Sequence, residues 1–275
     1  MPLIYGEGGE KAFKRLREEI DKHLKSLPQQ LALVQLEKED QECIQHLRLT
    51  DPRDDKKRIE ETQGGLLEDS YCWILENSEF KQWRSDQQSR LLWVKGDPGK
   101  GKTMLLCGIV NELKKSMAKT DLLSYFFCQA TDSRINNPTA VLRGLVFLLV
   151  DQQPLLVSHI RRKYDYAGKA LFEGVNAWAA LSEIFINILQ DPSLNNTFLI
   201  IDALDECVAD LPKLLNLIVQ NSSISIRVKW IISSRNWPNI EEQLGMAGHK
   251  VRLCLELNAE SVSMAVSIYI RHRVY

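Results

Sequence analysis

The sequence predicts an α/β protein: a mostly parallel, five-stranded sheet in three layers, preceded by an α-helical N-terminal segment. Three observations carry this. Short apolar runs of strand length occur at Leu91–Val94, Leu122–Phe127, Thr197–Asp202, Val228–Arg235 and Val251–Leu257. Between them lie stretches whose apolar residues recur every three or four positions, the spacing of helices that cross back over a sheet. The first run leads through a glycine-rich loop, Gly96-Asp97-Pro98-Gly99-Lys100-Gly101-Lys102-Thr103, straight into one of those helices.

That loop has the spacing G-x-x-x-x-G-K-S/T, the phosphate-binding P-loop. A run of backbone N–H groups must turn inward around a phosphate, and Gly96, Gly99 and Gly101 permit close approach and unusual φ. Lys102 supplies a mobile ammonium for the β- and γ-phosphates, and the Thr103 hydroxyl is placed to ligate Mg²⁺. The helix that follows, with Met104, Leu105, Ile109 and Leu113 at helical spacing up to Lys114-Lys115, aims its positive end at the anion. The nucleotide-binding set is therefore Gly96, Asp97, Pro98, Gly99, Lys100, Gly101, Lys102, Thr103 and Met104. The plain alternative is a glycine-rich turn with a surface lysine.

Composition narrows the class. With 275 residues, 44% hydrophobic and 26% charged, the chain is long enough for a large core and has ordinary globular chemistry. Lys plus Arg is 35 and Asp plus Glu is 36, a net charge of −1, which argues against a broad nucleic-acid-binding surface. The 6 cysteines form no C-x-x-C pair and mostly sit in apolar runs, so buried reduced thiols are expected. The 5 histidines show no ligand spacing for zinc. No apolar run reaches spanning length and no secretory signal opens the chain; the most apolar piece, Ala140–Val150, is interrupted by Arg143. A cytoplasmic protein without a membrane span is expected.

Along the chain, a glycine-containing loop turns helical from about Glu10, with Ala12, Leu16 and Ile20 on one face. Residues 21–50 continue as helix, split at Pro28. The charge-dense stretch Thr50–Gly65 reads as a solvated connector. A helix is expected over Leu66–Trp83, lying beside the nucleotide base or simply packed on the sheet. Asn137-Pro138-Thr139 starts a helix that runs to about Gln152, and another spans Pro154 to about Tyr164. Ala167–Asn176 reads as a loop, and Trp178–Gln190 as a helix closed by Asp191-Pro192. Further helices are expected over Leu211–Val219, from Trp237-Pro238 to about Leu244, and from Asn258-Ala259-Glu260 to the terminus.

Two strand ends carry chemistry. Thr197–Asp202 is an apolar strand ending in a carboxylate. Asp202, at the edge of a strand next to the P-loop, can hold Mg²⁺ directly or through water, the Walker B arrangement. The chain continues Ala203-Leu204-Asp205-Glu206, and Asp205 or Glu206 can orient and polarise an attacking water. The strand Val228–Arg235 ends in Ser233-Ser234-Arg235, where the cation can sense the γ-phosphate. A surface arginine after a strand is the rival reading.

With these pieces in place, the chain resembles the NACHT nucleoside triphosphatases, within the signal-transducing STAND group of P-loop proteins. The marks are the P-loop, the acidic extension Asp202-Ala203-Leu204-Asp205-Glu206, and Ser233-Ser234-Arg235 as sensor 1. The segment from Gly65 to Trp83 leading into LLWVKGDPGKGKT is similar to fungal NACHT proteins of the heterokaryon (vegetative) incompatibility type. The opening MPLIYGEGGEKAFKRL resembles the closing segment of fungal heterokaryon-incompatibility (HET) domains. Residues 1–62 are thus expected to be a helical segment and linker, the tail of such a module, and residues 63–275 a NACHT domain.

Carried over residue by residue, the resemblance implies that Gly96 to Thr103 bind phosphates and that Thr103 and Asp202 hold Mg²⁺. It makes Asp205 and Glu206 the acidic pair around the hydrolytic water, and Arg235 the reader of the γ-phosphate. Family members act as switches, in which nucleotide holds a closed form and a sensor domain releases it to oligomerise. Complete members continue into a winged-helix region and repeats. Nothing similar follows Tyr275, and no repeat of roughly 20–50 residues is visible, so a truncated chain is expected.

The expected function is a nucleoside-triphosphate-binding switch with slow hydrolysis, using ATP or GTP with Mg²⁺. Its expected partners are the nucleotide and, through self-association or other signalling domains, proteins. The absence of an N-K-x-D guanine-reading motif does not decide between ATP and GTP. Two alternatives stand beside it. One is a P-loop ATPase or kinase with true turnover, although no arginine-bearing lid or acceptor pocket is visible. The other is a non-hydrolysing nucleotide-binding scaffold, against which Lys102, Thr103, Asp202 and Glu206 count.

Overall fold

The computed structural model describes residues 15–17, 19, 35–246 and 252–257. The chain divides into Met1–Gln45 and His46–Tyr275. In the first unit, residues 15–17, 19 and 35–45 are helical. The rest of the helix expected from Glu10, the break at Pro28 and the last helix from Asn258 lie outside the described residues.

The second unit holds the sheet. Its strands are β1 (Leu91–Lys95), β2 (Leu122–Phe127), β3 (Thr197–Asp202), β4 (Val228–Ser234) and β5 (Arg252–Glu256). They form one five-stranded sheet in the order β2-β3-β4-β1-β5, every neighbouring pair parallel. The α/β class expected from the sequence is the one observed. The neighbourhood expected for Asp202 is not, because β4 lies between β1 and β3. Lys95 is level with Ser234 and Ile201 with Ile232, so the C-terminal ends of β1, β4 and β3 still meet at one edge. Parallel strands joined by helical crossovers can skip a neighbour, which is why chain order alone did not give spatial order.

The largest departure is Thr50–Gly65. Far from being a solvated connector, it contains helix α1 (Pro52–Thr62), which packs against β2 and the helix after the P-loop. Asp51 is its N-cap, accepting from the Arg53 N–H at 3.0 Å, with Pro52 in the first turn and Asp54 and Asp55 near the positive helix end. Its buried stripe includes Lys56 and Ile59. The Lys56 stem lies in the interior while its ammonium donates to Glu60 at 2.5 Å and Asn111 at 2.8 Å. A buried lysine hides an amphipathic helix from a count of charges.

The helix expected over Leu66–Trp83 is broken into α2 (Glu68–Tyr71), a 3₁₀ turn (Cys72–Glu76) and α3 (Ser78–Ser85). Asn77 restarts the chain as an N-cap, its side chain accepting from the Phe80 N–H at 3.0 Å. The P-loop helix is α4 (Lys102–Ser116). It meets α2 at Gly108, where an added Cβ would lie 2.2 Å from the Tyr71 ring. Helix α5 (Pro138–Gln152) starts at the Asn137 cap as expected and is buried from Ala140 to Val150. Arg143 within it donates to the carbonyls of Leu47 and His46, each at 2.8 Å.

A 3₁₀ turn (Pro154–Leu156) and α6 (Val157–Ala167) follow, then α7 (Ala170–Glu173). This last lies in the expected loop Ala167–Asn176 and is anchored by buried Leu171 and Phe172. Helices α8 (Ala177–Gln190), α9 (Leu211–Asn221) and α10 (Pro238–Gly245) match the apolar periodicity. Cys43, Cys107, Cys128 and Cys207 are buried thiols, whereas Cys72 and Cys254 are half-buried. Among the described residues no helix is long and apolar enough to cross a membrane.

Candidate functional site

Strand β1 delivers the chain to the loop at the C-terminal edge of the sheet. Gly96 is there because space is short: an added Cβ would lie 3.1 Å from the Leu257 carbonyl oxygen. Gly99 (φ +75°) and Gly101 (φ +79°) adopt the left-handed region that favours glycine. Gly101 is the N-cap of α4 and brings no side-chain cap, so the first-turn N–H groups are left for a ligand. Lys102 Nζ donates to the carbonyls of Gly96 at 2.5 Å and Asp97 at 2.9 Å. Burial lowers the Lys102 pKa, against the opposing pull of Asp205 and Asp202.

The acidic edge is built on a hydrogen-bond relay. Asp202 is buried at 1% exposure and accepts from the Ser233 hydroxyl at 2.5 Å and from the Thr103 hydroxyl. Ser233 Oγ in turn accepts from the Ala203 N–H at 2.8 Å. Burial pushes the Asp202 carboxyl up to about 6, against the hydrogen bonds from Ser233 and Thr103. Ala203 has φ +53°, a strained value for a non-glycine residue, and turns the chain into the 3₁₀ segment Leu204–Glu206. Asp205 Oδ1 accepts from the Arg235 N–H at 2.8 Å, and Oδ2 pairs with Arg235 Nε at 2.9 Å. Glu206 Oε2 accepts from the Ala130 N–H at 3.0 Å.

Between loop and edge lies a cleft of about 390 Å³. Pro98, Gly99, Lys100, Gly101, Lys102, Thr103 and Met104 line one side of it, and Asp202, Asp205, Glu206 and Arg235 line the other. Gly96 and Asp97 are not among the lining residues; they form the root of the loop and hold Lys102 through their carbonyls. The sequence did not point to Arg58, Ile59 and Thr62 of α1, to Gln63 at its C-cap, or to Cys128 and Gln129; Ala203 and Ser233 lay within the motifs but without an assigned role. No residue of 66–83 lines the cleft, which favours the second of the two readings of that segment, packing on the sheet; residues of α1 line the cleft instead. The available signal was the helix start at Asp51-Pro52, a capping residue followed by proline in the first turn.

The residues fit a magnesium-bound polyphosphate. Thr103 and Asp202 present hard oxygen donors, and a buried carboxyl raised to about 6 is the charge a divalent cation stabilises. The loop, Lys102 and Arg235 present the donors a phosphate chain requires.

Fold and loop define the class: a parallel α/β domain of the P-loop NTPase kind. The chain belongs to the family described as nephrocystin 3, N-terminal, whose model matches residues 69–235, from α2 to Arg235. It is 62% identical over 274 residues to the vegetative incompatibility protein HET-E-1 of Podospora anserina. That match covers 100% of this chain and 19% of the relative, so the chain spans about a fifth of that protein's length. The similarity to fungal incompatibility proteins suggested by the motifs is thus found. Among solved structures, it is similar to a DNA replication initiation factor, with 13% identity, 70% of this chain and 50% of that chain covered, and a TM-score of 0.36. It is also similar to C. elegans PCH-2, with 13% identity, 78% and 46% covered, and a TM-score of 0.32. Both likenesses are too distant to bear on function.

Proposed function

We propose that the chain is the nucleotide-binding switch module of a NACHT-type incompatibility receptor, taking ATP or GTP with Mg²⁺ and hydrolysing it slowly. The observation that carries this is the meeting of the glycine loop, Lys102, Thr103 and Asp202 in one cleft, across the intervening β4. Identity to a vegetative incompatibility protein over the whole chain supports the receptor context.

In this reading Thr103 and Asp202 hold the metal, and the bound metal–nucleotide supplies a polarised terminal phosphoryl group. The loop N–H groups take the phosphate oxygens, and Lys102 leaves the Gly96 and Asp97 carbonyls to neutralise them. Asp205 is committed to Arg235 and acts by placing that guanidinium. Glu206 is then the group for the attacking water. The Ala130 N–H holds its Oε2, which leaves Oε1 to orient the water and take its proton. The switch works by differential affinity: nucleotide stabilises the arrangement that binds it more tightly.

Thermal unfolding with Mg-ATP and Mg-GTP, paired with phosphate-release kinetics, tests this. Wild type is expected to gain about 2.7 kcal/mol at 100 times its Kd, and Lys102→Ala to lose that gain. Turnover is expected far below the ~10 per second of typical enzymes, and Glu206→Gln to bind normally yet turn over more slowly still. An unchanged shift in Lys102→Ala places the ligand elsewhere, and fast turnover makes the protein a conventional P-loop enzyme.

A further inference from the structure

We propose that Arg58 on α1 contacts the terminal phosphate of the bound nucleotide and sets the preference for triphosphate over diphosphate. This rests on the nucleotide reading above. Arg58 lines the cleft together with Lys102, Asp202 and Glu206. Its Nη2 donates to Asp55 Oδ1 at 3.1 Å and to Gln129 Oε1 at 3.0 Å. Nε and Nη1 take no hydrogen-bond partner among the described residues, and the side chain is 50% exposed. The guanidinium is anchored through one nitrogen with two left for a ligand.

Its position along the cleft follows from the sheet order. β2 lies outside β3, on the side away from β1. The backbone leaving β2 is stitched to the acidic edge, with Cys128 N–H donating to the Asp202 carbonyl at 3.2 Å and Ala130 N–H to Glu206 at 3.0 Å. Gln129 sits between those two bonds and holds Arg58. Outward from β1 the order is therefore the loop with Lys102, then Thr103 and Asp202, then Glu206, then Arg58. A phosphate chain that starts on the loop and carries its metal at Thr103 and Asp202 ends against Arg58. Arg235, the other guanidinium of the lining, follows β4, which lies on the β1 side of β3, so it meets the phosphates from the opposite side of Asp202. The planar fork of Arg58 suits phosphate oxygens, and a diphosphate does not extend far enough to use it.

Isothermal titration on the full chain tests this with Mg²⁺ and AMP-PNP, ADP, GMP-PNP or GDP as probes, on wild type, Arg58→Gln and Arg58→Lys. Arg58→Gln is expected to weaken the triphosphate analogue about tenfold, or about 1.4 kcal/mol, and the diphosphate less than about twofold. Arg58→Lys is expected to recover part of the loss. Nucleotide-free melting of Arg58→Gln within about 2 °C of wild type shows that its fold is retained. Equal weakening of tri- and diphosphate, a changed preference between adenine and guanine, or no change overturns the inference. If wild type binds none of the four probes, the proposed function falls as well; if wild type binds and Arg58→Gln matches it, only the role of Arg58 falls.

Discussion

Replacing Asp202 by asparagine is expected to stabilise the nucleotide-free protein. Asp202 is buried at 1% exposure, and its carboxyl is raised from 3.8 to about 6. That difference corresponds to about 3 kcal/mol of penalty on the ionised folded protein. The folded state holds the proton more tightly than the unfolded chain. The contribution of Asp202 to stability therefore falls as pH rises from about 3.8 to about 6 and levels off above, where both states are ionised. Asparagine keeps the shape and can still accept from the Ser233 hydroxyl, without the charge. Part of the gain is lost because its amide must find an acceptor. In EDTA at pH 7, Asp202→Asn should be more stable by about 1–3 kcal/mol, raising the midpoint by roughly 3–8 °C. At pH 4 the difference should shrink. Urea unfolding between pH 4 and 8 measures both. A variant less stable than wild type at pH 7, or one with the same pH slope, refutes the reasoning.

Other substitutions probe the supports of the site. Ser233→Ala leaves a buried carboxylate oxygen and the Ala203 N–H without their shared partner, and should cost about 2–4 kcal/mol in urea unfolding. Gly108→Ala drives a methyl into the Tyr71 ring, 2.2 Å away. It should cost about 1–3 kcal/mol and raise the protease sensitivity of residues 64–77, despite the better helix propensity of alanine. Gly101→Ala meets no atom within 4 Å but must hold φ +79°, so its cost of about 1–2 kcal/mol is purely conformational and should appear with equal size in the nucleotide-free protein.

What the sequence disclosed, and what it did not, follows from how each feature is encoded. The P-loop was legible because its geometry requires glycines and a lysine at fixed offsets along one segment. The strands were legible because each is a continuous apolar run. Helix α1 was not, since its buried face is made partly by Lys56, and composition reads that residue as solvated. The role of Ser233 was hidden for another reason. Its bond to Asp202 joins residues on different strands, and neither names the other. The place of β4 between β1 and β3 is a fact of topology that no local pattern records. Asn77 and the short α7 were lost because a single cap or two buried residues outweigh the surrounding periodicity.

Hydrogen–deuterium exchange with and without Mg²⁺ and AMP-PNP tests most directly whether the glycine loop and the acidic edge grip one ligand. Backbone amides of residues 98–104 and 202–206 should gain protection together, and Lys102→Ala should abolish both gains. Protection confined to one of the two segments, or appearing elsewhere in the chain, contradicts the account.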